Sequence, residues 1–118
     1  MIKQLKELPI KINSQRRELL DLSNSLEDVT LKIKNWELNE MQDIASMTDG
    51  NGKPAFSNAE KRQVELEQRK GNDESMFNLK GDYGHLKNKI DLLRIELQFN
   101  LDVQENLRAI AWLGGDTE

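Results

Sequence analysis

Leu19-Leu20-Asp21-Leu22-Ser23-Asn24-Ser25-Leu26-Glu27-Asp28-Val29-Thr30-Leu31-Lys32-Ile33-Lys34-Asn35-Trp36 decides the fold. Leu19, Leu22, Leu26, Val29, Ile33 and Trp36 follow one another at alternating steps of three and four. That spacing places them on one stripe of a helix, a heptad seam. The seam extends backwards through Gln15, Ile12, Leu8 and Leu5, with Gln15 as its one polar member. Proline suits the first turn of a helix and damages an interior turn. Pro9 therefore predicts a helix over 9–48, with 1–8 as a loose N-terminus. After Trp36 the apolar face continues through Leu38, Met41, Ile44, Ala45 and Met47 with a phase shift, as a stutter gives.

Residues 49–57 hold two glycines, a proline and small polar side chains, which mark a loop. Ser57 or Asn58 then supplies an N-cap, and Glu60 stands at capping-box spacing from Ser57. Phe56 is placed to staple back onto the new helix. A short, highly charged helix is predicted over 58–70, with Gly71-Asn72-Asp73 ending or bending it. A second seam follows: Met76, Leu79, Tyr83, Leu86, Ile90, Leu93 and Leu97, continued by Asn100, Gln104 and Leu107. It predicts a helix over 74–113, weakened at Gly81 and Gly84, and a tail at 114–118.

Two seams of similar length cover each other in an antiparallel hairpin. A register in which facing positions sum to 115 puts Trp36 against Leu79, Val29 against Leu86, Leu22 against Leu93 and Leu8 against Leu107. It also sets Gln15 opposite Asn100. Either these two polar breaks satisfy each other and fix the register, or both reach solvent where the seams drift. The expected fold is all-α: one domain, residues 1–118, built as a long antiparallel, coiled-coil-like hairpin with a loop and short charged helix at one end.

Composition agrees with a fold that buries only stripes. Charged residues make up 32% of the 118, the apolar set 36% and aromatics 5%. A hairpin of this size buries little, so its core is expected to be completed by self-association. The net charge of −4 argues against strong non-specific nucleic-acid binding. There is no cysteine, hence no disulfide, no thiolate nucleophile and no thiolate zinc site. The start, Met1-Ile2-Lys3-Gln4-Leu5-Lys6-Glu7, lacks the apolar run of a signal peptide. No stretch approaches the roughly 18 apolar residues of a membrane span. A cytoplasmic location without membrane contact is expected.

Chemistry is hard to find. Asp49, Asn51 and Lys53 fall at positions one, three and five of an EF-hand frame, with Glu60 at twelve. A cation at five and Pro54 at six, where glycine is needed, favour an ordinary turn and a capped helix. His85 is the only histidine and has no local nucleophile, so packing or surface is its expected role. No carboxylate pair sits in an apolar setting suited to acid–base work, and Gly50-Asn51-Gly52-Lys53 lacks the frame of a phosphate loop. The expectation is a non-enzymatic protein with no cofactor and no metal.

Lys53, Lys61, Arg62, Arg69 and Lys70, with Phe56, form the candidate nucleic-acid or partner contact. The alternative is that these cations are half of interleaved salt bridges on a solvated face, because Glu60, Glu65 and Glu67 offset them. Nucleic-acid binding is accordingly expected to be weak or indirect. Trp112 is the candidate interface residue at the C-terminal end.

Gly52-Lys53-Pro54-Ala55-Phe56-Ser57-Asn58-Ala59-Glu60-Lys61-Arg62 resembles a pattern in small helical proteins of Gram-positive bacteriophages and prophages. There, a glycine–lysine–proline turn leads to an aromatic, Ser-Asn and a Lys-Arg pair. The short charged helix, the Asn72-Asp73 break and Leu79-Lys80 followed by Leu92-Leu93-Arg94-Ile95-Glu96-Leu97 extend the likeness over roughly 15–113. Gly81 and Gly84 depart from it. The resemblance implies a product of the early gene block near recombination and single-strand-binding functions, acting in the host cytoplasm. It carries over no catalytic residue. Three roles follow as expectations: an accessory interaction protein in phage DNA recombination or replication, an inhibitor of a host nuclease or defence protein, or a structural coiled-coil adaptor. Neither the residues nor the resemblance names the protein partner.

Overall fold

The computed structural model describes residues 2–114. It contains three helices: α1 (Ile2–Ser46), α2 (Ala59–Asn72) and α3 (Glu74–Trp112). No strand is present among the described residues beyond an isolated antiparallel bridge between Thr48 and Pro54. The expected all-α helical hairpin is what forms.

The N-terminal expectation needs correcting. Residues 2–8 are not loose; they are the first turns of α1, and Pro9 lies inside the helix. Pro9 has no N–H to donate to the carbonyl of Leu5, so one rung is missing. The turns before it retain their seam: Leu5 and Leu8 are half-buried and Ile12 is buried.

Contacts divide the chain into two units. The first comprises Met1–Ser25 with Leu86–Glu118, the second Leu26–His85. In the first unit two antiparallel helical segments bury Ile12 from α1 and Ile90 and Leu93 from α3. Its interior also contains amides. Gln15, Asn100 and Gln104 are each less than one-tenth exposed. Asn100 Nδ2 donates to Gln15 Oε1 at 2.9 Å. The two polar breaks in the seams therefore meet, in the register that sums to 115.

In the second unit the end of α1, all of α2 and the start of α3 surround Ile44, Leu66 and Met76. The loop before α2 is folded on Asp49. Its Oδ1 accepts from the backbone N of Asn51 at 2.8 Å and of Lys53 at 3.1 Å. Asp49 N donates to Lys53 O at 2.7 Å, and Ala55 N donates to Met47 O at 2.9 Å. Gly52 takes φ 76°, the left-handed region where a side chain is strained. The carboxylate that began the EF-hand frame thus closes an Asx turn.

Asn58, rather than Ser57, caps α2: its Oδ1 accepts from Lys61 N at 2.8 Å. The box expected between Ser57 and Glu60 gives way because the cap lies one residue later. Gly71 and Asn72 stay helical. Asp73 is the break, with extended backbone at φ −98° and ψ 121°. Its Oδ1 accepts from Met76 N at 2.8 Å, so one side chain ends α2 and starts α3. Gly81 and Gly84 lie within α3 without ending it.

Candidate functional site: the charged face of α2 and the outer stripe of α3

α2 begins at Ala59 and has few apolar anchors, Val64 and Leu66, of which only Leu66 is buried. Besides the burial of Leu66, ion pairs attach α2 to the end of α1. Arg69 Nη1 lies 2.8 Å from Glu40 Oε2 and 2.7 Å from Asp43 Oδ2. Arg69 Nε lies 3.0 Å from Glu65 Oε1, and Nη2 donates to Met47 Sδ at 3.0 Å. Three carboxylates, Asp43 first, then Glu40 and Glu65, hold the guanidinium in its charged form and push its pKa up. Lys70 Nζ lies 2.8 Å from Glu37 Oε1 and 3.4 Å from Glu67 Oε1. Hydrogen bonding to Glu37 raises the pKa of Lys70, against a smaller opposing cost of burial. The two cations of the last turn of α2 also suit the negative end of its dipole.

The six residues proposed for nucleic-acid or partner contact are therefore not one surface. Arg69 and Lys70 turn inward to α1 and are half-buried. Arg62 is half-buried, and its Nε donates to the carbonyl of Phe56 at 3.1 Å, which holds the half-buried Phe56 over the start of α2. Lys53 in the loop and Lys61 on α2 are exposed. Phe56 and Lys61 line an open groove along α2 with Ala55, Val64, Glu65 and Gln68. Its charged lining includes carboxylates as well as Lys61, so it is not a phosphate-tracking channel.

The larger apolar feature belongs to the first unit. Leu92, Ile95, Phe99 and Ile110 stand on one stripe of α3 and are exposed, with half-buried Val103 among them. At 100° per residue this stripe lies roughly 130° around the helix from the seam of Ile90, Leu93, Leu97, Asn100 and Gln104. α3 thus carries two apolar stripes, and its pairing with α1 covers one. Trp112, at the end of α3, is 89% exposed, and Leu113 beside it is also exposed. Clustered apolar residues of this kind mark interaction surfaces.

A groove of about 560 Å³ runs beside the second stripe. Ile95 and Phe99 form its apolar wall, Gln15 and Asn100 line it as well, and Lys11 and Glu96 bring opposite charges to it. His85 is exposed on α3. No described helix is long and apolar enough to cross a membrane. No family model, curated protein or solved structure matches the chain.

Proposed function

We propose that this chain is a non-enzymatic interaction protein that works through the outer face of α3 and serves DNA recombination or replication of a Gram-positive bacteriophage in the host cytoplasm. The observation that carries the interaction reading is the second apolar stripe of α3, running from Leu92 to Ile110, with Trp112 exposed separately at the end of the helix. A helix with an apolar stripe left in water is costly unless a partner covers it. The phage setting is supported by the sequence resemblance centred on Gly52–Arg62.

Nucleic-acid contact, if it is direct, falls to the exposed cations Lys53 and Lys61 rather than to Arg69 and Lys70. Two lysines amid carboxylates support weak binding at most, so the proposed route to DNA is through a protein already bound there.

The test is capture by the tagged full chain from phage-infected and uninfected host lysate, with and without nuclease. The reading expects recombination or single-strand-binding proteins to be retained after nuclease treatment and lost on Trp112→Ala. Retention of a host nuclease alone would replace it with the inhibitor reading. Retention of nothing but further copies of the chain would replace it with the structural-adaptor reading.

A further inference from the structure

We propose that the groove beside Ile95 and Phe99 is the seat of a second copy of this chain, α3 packing antiparallel against α3 about a two-fold axis. This deepens the interaction reading by assigning the α3 stripe, and it leaves Trp112 to other partners.

The first unit has only two helical segments, whereas the second has three. Among the described residues of the first unit no helix covers the α3 stripe. Leu92, Ile95, Phe99 and Ile110 are 58%, 68%, 66% and 45% exposed. Together they offer on the order of 400 Å² of apolar surface, given side chains of this size. Apolar atoms make up about 60% of a typical interface, so this corresponds to roughly 700 Å² per copy, near the ~800 Å² per partner of a stable complex.

The polar groups favour a copy of the same chain over an unrelated apolar helix. A two-fold contact requires a patch to be complementary to itself. Lys11 and Glu96 bring one positive and one negative charge to the groove. Rotation of a second copy about the axis sets each charge against its opposite. The groove also contains the Gln15–Asn100 pair. That pair is satisfied within the chain and buried in the α1–α3 seam, so it adds no exposed polar group for a partner to meet.

Sedimentation equilibrium of the full chain at micromolar concentration tests this directly. The wild type is expected at twice its 13.6 kDa mass. Ile95→Glu with Phe99→Glu changes only exposed positions and is expected at the single-chain mass with unchanged helical circular dichroism. Lys11→Glu alone is expected to weaken the dimer about tenfold or more, with Glu96→Lys added to it restoring association. A wild type that stays at the single-chain mass overturns the inference, as does a dimer unaffected by Ile95→Glu with Phe99→Glu. A monomeric wild type that still captures a partner in a Trp112-dependent way would remove the dimer and leave the interaction reading intact.

Discussion

Asn100 and Gln15 show how much a single pair decides. Their 2.9 Å bond lies in a largely apolar seam that also holds Gln104, with both side chains buried. Replacing one leaves the other buried without its partner, which costs about 1–3 kcal/mol. Asn100→Leu should therefore lower the unfolding free energy by that amount in urea titrations. Replacing both, Gln15→Leu with Asn100→Leu, should recover most of the loss. The pairing was legible because two polar breaks in two seams share one register. Arg69 was not legible in the same way. A basic residue near the end of a charged helix reads equally well as a ligand contact or as a salt bridge. Only the approach of α2 to α1 brings Glu40 and Asp43 within 3 Å of it. Arg69→Met should destabilise the second unit by about 1–2 kcal/mol, discounted because Asp43 is mostly in water. Loss of DNA binding on reversing this charge would consequently report damaged packing, whereas reversal at Lys61 would test contact. Lys70 has a raised folded-state pKa, so its contribution is fully present below the ordinary lysine value of 10.5 and lost as pH climbs through and above it. Stability of the second unit should hold between pH 7 and 9 on that account and fall at higher pH, as a pH series of thermal melts would show.

The helices follow from their seams, and their ends follow from single residues. Asn58 and Asp73 set the starts of α2 and α3 through one side-chain oxygen each. The sequence located these breaks to within a residue or two because caps and turns have local chemistry. It misjudged the start of α1 because local chemistry was the wrong guide there. Pro9 argues for a boundary, but Leu5 and Leu8 continue the seam on the other side of it, and the helix runs through. The second stripe of α3 is present in the sequence as Leu92, Ile95, Phe99 and Ile110, at the same helical period as the first seam and interleaved with it. α3 also retains two glycines that serve no packing need. A Cβ at Gly81 or Gly84 would meet nothing within 4 Å, and neither residue has positive φ. Gly81→Ala and Gly84→Ala should each stabilise the protein by about 0.5–1 kcal/mol, measured by denaturant unfolding. A destabilising effect at either site would mean that α3 bends there in solution.

The groove, the exposed stripe and the proposed two-fold contact all depend on α1 and α3 meeting in one register within one chain. The sequence carried the hairpin itself, because two seams of matching length have few other ways to be covered. It could not carry what lies outside the hairpin, since exposure of the α3 stripe is a property of the assembled helices. Lack of cysteine in the chain makes the register open to a direct measurement. Gln15→Cys with Asn100→Cys should be joined by a short bismaleimide cross-linker, because contact between the ends of the native side chains places the two positions within its reach, whereas a direct disulfide needs Cβ atoms only about 4 Å apart. Isotope-labelled and unlabelled chains, mixed before cross-linking and read by mass spectrometry of the linked peptides, separate a link within one chain from a link between two. A cross-link confined to single chains is the predicted result. Cross-links joining labelled to unlabelled chains, or no cross-link at all, would contradict the hairpin register and everything built upon it.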